Sequence, residues 1–168
     1  MKKKLVYIGN IIRRAFSGNS KPRATLHIRV LHADGAIEDL GLVSKRVVTT
    51  AHVNHLVDAL QAANAAFSNY KYHDSGTGTT ASVDGDIALE TPCGEARTVG
   101  SQTEGAAANI YKTVAIHTYA GNFDITEHCV FSAASGPTAL DRSVFSAIPV
   151  VANDRIEFQY EITYPAGG

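Results

Sequence analysis

The sequence predicts a mainly β protein, an antiparallel β-sandwich of jelly-roll or immunoglobulin-like type with one α-helix and an extended basic N-terminal arm. Three observations predict it. In the closing run Arg155–Tyr164, apolar Ile156, Phe158, Tyr160, Ile162 and Tyr164 alternate with polar Glu157, Gln159, Glu161 and Thr163. Successive side chains of a strand point to opposite faces, so this is a strand with one dry and one wet face. Upstream, Ile110–Ile116, Ile125–Phe131 and Leu140–Ile148 read as three more strands, and turn residues rather than helices separate them. Residues 51–67 carry the one credible helical period.

Taken from the N terminus, residues 1–23 read as an arm and residues 24–168 as one β-sandwich domain. The arm holds Lys2, Lys3, Lys4, Arg13, Arg14, Lys21 and Arg23 and no acidic residue. The rest of the chain keeps eight basic residues against sixteen acidic ones, so a +7 arm is joined to a −8 body. Asn10, Gly18, Asn19, Ser20 and Pro22 punctuate the arm, and its apolar residues are too few to close a core. It imitates a signal peptide only faintly. Leu5-Val6-Tyr7-Ile8 is cut short by Gly9-Asn10, and Arg13-Arg14 stand where small residues would precede cleavage. No apolar run approaches the ~18 residues of a membrane span, and no membrane partner is expected. The expected role is an arm that orders on an acidic partner. Lys2, Lys3, Lys4, Arg13 and Arg14 would meet carboxylates there, and Leu5, Tyr7, Ile8, Ile11 and Ile12 would fill apolar grooves. Phosphates attract the same cations, but the arm's aromatics are only Tyr7 and Phe16, and nucleic acid is not the expected partner.

In the body, Leu26, Ile28 and Val30 alternate with His27, Arg29 and Leu31, and Asp34-Gly35 supplies a tight turn to a return strand over 36–43. Thr49 or Thr50 caps the helix. Its stripe of Val53, Leu56, Val57, Leu60, Ala63, Asn64 and Phe67 is expected to face the core, with His52, His55, Asp58 and Gln61 mostly opposite. Residues 69–73, 88–90 and 97–103 complete the strands. The predicted core is Leu26, Ile28, Val30, Val53, Leu56, Leu60, Val114, Ile116, Phe131, Ile156, Phe158, Tyr160 and Ile162. The apolar content of 45% suffices for it.

Signs of chemistry are sparse, and no enzyme is expected. Seven histidines invite a metal. His52 and His55 have no carboxylate or cysteine at ligand spacing, however, and His27 and His32 fall on opposite strand faces. Gly76-Thr77-Gly78 lacks the Lys-Ser/Thr and the helix that a phosphate loop requires, and reads as a bend. Asp84 and Asp86 begin a calcium-loop pattern that does not continue. His128 and Cys129 are neighbours on a strand, so that histidine cannot activate that thiol. Cys93 and Cys129 read as two idle thiols, in keeping with assembly in a reducing cytoplasm. No cofactor, nucleotide or metal is expected.

Several segments taken together resemble small virion structural proteins of tailed bacteriophages. They are Tyr72–Thr80, Ala88–Pro92, Gly100–Gly105, Ile125–His128, Leu140–Ile148 and the closing strand, spanning roughly residues 24–164. The resemblance implies a β-sandwich that binds the major capsid protein or other virion proteins, as a cement or decoration protein stabilising the shell through subunit-bridging contacts. It further implies a location in the virion after assembly in the host cytoplasm. A dimer or trimer is the expected form. A neck or tail component, at the head–tail connection or tail tip, is the main alternative, and a carbohydrate-binding module is a second.

Overall fold

The computed structural model describes residues 22–61, 67–136 and 139–165. The arm residues Lys2, Lys3, Lys4, Leu5, Tyr7, Ile8, Ile11, Ile12, Arg13 and Arg14 lie outside the described residues. So do Ala63 and Asn64 of the expected helical stripe.

The strands are β1 (Arg23–Leu31), β2 (Ile37–Val48), β3 (Tyr72–Gly76), β4 (Thr98–Val99), β5 (Ser101–Glu104), β6 (Ile110–Thr118), β7 (Phe123–Phe131), β8 (Ala139–Val150) and β9 (Arg155–Thr163). Between β2 and β3 the described residues form one α-helix, α1 (Thr50–Leu60), and a 3-10 turn at Phe67–Asn69. All pairings are antiparallel, in the order β4-β3-β7-β8-β2-β1-β9-β6-β5. Among the described residues the architecture is a two-layer β-sandwich with one α-helix and a single 3-10 turn.

The two layers are joined at both sides by strands that change layer. β2 pairs with β1 through Arg46 and then, at Val47 and Val48, with β8. Two register shifts against β1 give it the bend, with Gly41 in the left-handed region (φ 60°) beside Ile28. On the other side the chain crosses at Gly100, between β4 on β3 and β5 on β6. A Cβ there would lie 2.4 Å from Thr113 Oγ1 and 2.8 Å from His73 Nε2, so the crossing admits only glycine. If β4 and β5 are counted as one crossing strand, first pairs with last, second with seventh, third with sixth and fourth with fifth. That nesting belongs to a rolled-up hairpin of jelly-roll kind rather than to immunoglobulin sheets. β9 nevertheless lies beside β6, not beside the third strand as in a strict jelly roll.

Leu26, Ile28, Val30, Phe131, Ile156, Phe158, Tyr160 and Ile162 are buried, as alternation predicts. β6 is turned the other way. Thr113, Ala115 and His117 are buried, whereas Val114 is half-buried and Ile116 exposed. A one-residue shift of this kind exchanges the two faces of a strand. It is tolerated because the inward polar groups find partners: Thr113 Oγ1 meets His73 Nε2 at 3.1 Å, and His117 Nδ1 meets Thr98 Oγ1 at 3.1 Å. His73 continues to His128 at 3.0 Å, and the His128 ring stacks on Phe158 at 4.3 Å between centroids. The core therefore contains a polar thread, which hydrogen bonding makes affordable in a dry interior.

Three boundaries also differ from expectation. The β1–β2 connection is five residues, 32–36, held by Asp34 Oδ1 on Ala36 N with Gly35 at φ 91°, rather than a two-residue turn. The strand expected at 69–73 is shifted to Tyr72–Gly76. Residues 88–90 form no strand and belong to a long loop over the outer face of β7.

Phe158 is fully buried in the largest apolar cluster, while Glu157 faces outward to Arg29 at 3.1 Å. Phe158→Ala is expected to cost about 3–5 kcal/mol in urea unfolding. Glu157→Gln should cost no more than about 1 kcal/mol. Equal losses would contradict this register.

Candidate docking groove beside the helix

The helix starts where Thr49 donates its hydroxyl toward the carbonyls of Ala139 and Leu140, at 2.9 and 3.1 Å, and accepts from His52 N at 3.2 Å. This cap fastens α1 to β8 and fixes its rotation. The residue driven inward is His52. Its Nε2 shares a 2.7 Å hydrogen bond with the Tyr164 hydroxyl, and its ring meets Tyr70 edge-on at 4.7 Å. The expectation for the helix is thus overturned. At 100° per residue, the apolar stripe stands roughly a quarter turn away from the buried face. Val53, Val57 and Leu60 are 50, 46 and 78% exposed, and Leu56 is half-buried at the edge.

Leu56 opens onto a groove of about 470 Å³ lined also by Ser68, Tyr70, Gln102, Thr103, Tyr111 and Tyr164. That volume lies in the usual range of ligand sites. Its floor is organised by hydroxyls. Gln102 Nε2 donates to the Tyr111 hydroxyl at 2.8 Å, and that hydroxyl donates to the Tyr70 carbonyl. Tyr164 is held by Asn109, whose side chain donates to the Tyr164 carbonyl at 3.1 Å. Burial, with neighbouring Tyr111 second, pushes the Tyr164 hydroxyl up to about 12. Two buried polar atoms, His52 Nδ1 and the Tyr70 hydroxyl, find no partner among the described residues. An adjoining hollow of about 400 Å³ shares Thr103, Tyr111 and Tyr164 and carries Glu104 on its wall.

The groove lies where the arm leaves the body. Arg23 pairs with Thr163, Thr163 with Ile110, and Tyr111 with Glu104. The edge of β5 is open here as well, since β5 pairs with β6 alone among the described strands and all four of its residues are exposed.

The other sequence signals resolve into structure. Gly76 and Gly78 make room for a carboxylate rather than a phosphate, because a Cβ at either would lie 2.6 Å from Glu127 Oε1. Buried Glu127 accepts from Gly78 N (3.1 Å), Glu90 N (3.0 Å), Thr91 N (2.8 Å) and Arg142 Nε (2.8 Å). Arg142 also reaches Asp86 at 3.0 Å and Glu90 at 3.4 Å, so Asp86 serves an ion pair. This cluster pins the loop over residues 77–92 to the sheet. His128 faces Phe158, while Cys129 packs with Leu89 and Phe131 on the other side of the layer. Burial pushes the Cys93 thiol up to about 12. His32 joins Asp154 at 3.4 Å and Glu38 at 3.7 Å. Among the described residues, no group of three His, Cys, Asp or Glu side chains is placed to hold a metal ion, and no helix is long and apolar enough to cross a membrane.

No family model, curated protein or solved structure matches the chain. The groove itself therefore carries the functional argument. Sequence reasoning missed it because its walls come from residues 56, 70, 102, 111 and 164, which form no local motif.

Two predictions follow from these contacts. Glu127→Ala takes from buried Arg142 its one fully buried carboxylate and from three amides their acceptor, and should cost about 3–5 kcal/mol in urea unfolding. Glu90→Ala, at an exposed partner, should leave the urea midpoint nearly unchanged. The second concerns acid. Burial, with His55 second, lowers His52 from 6.5 to about 4. As pH falls through 6.5 the unfolded chain gains a proton that the folded chain refuses until about pH 4. Stability is therefore present above 6.5 and lost across that window, by roughly 3 kcal/mol at most. His52→Gln should show a shallower fall in melting temperature between those limits than the parent protein. Parallel curves would remove His52 as the cause.

Proposed function

We propose that this is a non-enzymatic structural protein of a tailed-bacteriophage virion, a cement or decoration protein that binds the capsid shell and bridges its subunits through its basic arm. The observation carrying the attachment is a single apolar surface of Val53, Val57 and Leu60, adjoining a tyrosine-lined groove and an open strand edge at the arm's exit. Such a surface is expected of an interaction protein, because apolar patches left to water mark docking sites. The closed sandwich and its pinned loop suit a rigid spacer. The phage assignment rests on the segment resemblance and on the pairing of a +7 arm with a −8 body.

In the assembled particle the arm crosses to a neighbouring subunit. Its apolar residues give most of the affinity, since exposed ion pairs are worth only about 0–1 kcal/mol each. Its cations set encounter rate and salt sensitivity. Many copies on a lattice multiply a modest single affinity.

Deleting residues 1–20 should leave the body folded by circular dichroism but absent from purified particles. Changing Lys2, Lys3, Lys4, Arg13 and Arg14 to Gln should weaken attachment mainly at moderate salt, and changing Ile8, Ile11 and Ile12 to Ser should weaken it at every salt concentration. Full occupancy by the truncated protein would shift the anchor to the sandwich. Particle imaging separates shell from neck or tail: many copies over the shell support cement, and a single ring places the protein at the neck or tail.

The carbohydrate-binding alternative draws on one observation, the gathering of Tyr70, Tyr111 and Tyr164 at one groove. Glycan-array binding by the purified protein would favour it over the arm.

A further inference from the structure

We infer that the outer face of the β2-β1-β9-β6 layer is the seat of a second copy of this chain, packed face to face about a twofold axis. The inference goes beyond the phage reading and owes nothing to the arm, because every residue it uses lies in the described strands.

The register places the groups. Across the middle of this face one row runs Asp39, Arg29, Glu157, Ile116, and the next runs Leu42, His27, Gln159, Val114. Both rows point away from the core, since the residues alternating with them, such as Ile28, Ala115 and Phe158, are buried. Leu42 is 47% exposed and Ile116 41%. β6 sets this face apart, because its branched aliphatics Val114 and Ile116 are turned outward and its polar Thr113 and His117 inward. A solvated outer face takes the opposite parity, so the outward pair marks a strip that another body covers.

The rows are self-complementary about the line between β1 and β9. A twofold axis along that line, midway between two copies, lays each β1 over the other copy's β9 and each β2 over its β6. Arg29 then meets Glu157 of the second copy, His27 meets Gln159, and Leu42 meets Val114. Within one copy Arg29 and Glu157 already pair at 3.1 Å. Two such pairs laid over each other with signs crossed close into a ring of four alternating charges. A hollow of about 110 Å³, lined by His27, Arg29, Asp39, Glu157 and Gln159, gives the facing side chains room at that centre. The mismatches, Asp39 over Ile116 and Lys45 over Lys112, fall at the flanks. Sheets packed face to face cross at about 30°, which turns flanking groups out of direct opposition.

The area is sufficient. β1, β9 and β6 each run nine residues, about 30 Å, and four strands side by side span about 19 Å. The flat footprint is therefore roughly 570 Å², and projecting side chains bring its accessible area toward the ~800 Å² per partner of a standard interface. An isologous contact of this kind closes at two copies, so the form it gives is a dimer and not a trimer.

Sedimentation of the full-length protein tests the inference. The parent protein should sediment at twice the chain mass at high micromolar concentration. Arg29→Glu and Glu157→Arg each set like charges against one another across the axis, and each alone should raise the dissociation constant by about tenfold or more. Mixing the two variants should restore a dimer holding one of each, since every contact across the axis is then between opposite charges. Pairing within one molecule cannot produce that rescue. Leu42→Cys combined with Val114→Cys gives a second measurement that changes no charge. The two positions are three strands apart in one molecule, about 14 Å and beyond disulfide reach, but are opposed across the axis. Oxidation should yield a covalent dimer, and Leu42→Cys alone, the control for Cys93 and Cys129, should not. A monomeric parent, a trimer, single variants that dimerise as the parent does, or a mixture that stays monomeric each overturn the inference. Absence of the covalent dimer does so even where a charge variant fails to fold. None of these outcomes depends on whether truncation at residue 20 strips the protein from particles, so the two readings fail separately.

Discussion

The architecture depends on what happens at Gly100. The chain there leaves one layer and joins the other, passing between Thr113 and His73 at distances that exclude any side chain. Because the crossing is possible, both sides of the sandwich are bridged by continuous backbone. The same crossing divides the pairing, leaving β4 to β3 and β5 to β6. Among the described strands each half therefore has one partner, and β5 has none on the side away from β6. Closure of the core and exposure of the edge are two results of one constraint.

The crossing also accounts for the polar thread through the core. Backbone this close to Thr113 and His73 leaves no room for large aliphatic side chains, and a small hydroxyl and a ring nitrogen meet there instead. Once Thr113 faces inward, the period of two commits Ala115 and His117 to the interior and turns Val114 and Ile116 outward. Alternation along β1 and β9 was readable from the sequence because both neighbours of each strand respect the same apolar face. β6 was not readable, since hydrophobicity alone favoured the wrong parity and the deciding hydrogen bonds come from residues 40 positions away.

The helix shows the same limit. Its start was legible, because Thr49 is a local N-cap with a local physical reason. Its rotation was not, because Thr49 is tied to β8 and His52 to Tyr164, both distant in sequence. An apolar stripe identifies the side of a helix that seeks cover, and the cover need not come from the same core. Here the stripe points past the sandwich, and the buried position goes to a histidine that its burial keeps neutral down to about pH 4. The packing role of the Gly-x-Gly segment was hidden for a related reason: its glycines accommodate Glu127, on a strand about fifty residues further along.

A surface that combines an open edge with an apolar stripe is a hazard for any free protein, since unpaired edges recruit one another. The body offers little defence at β5, where Ser101, Gln102 and Thr103 are uncharged and Glu104 is the one charge. A partner that lays backbone along β5 and apolar side chains over the stripe would remove the hazard, and an interaction protein keeps such a surface because its partner supplies the cover.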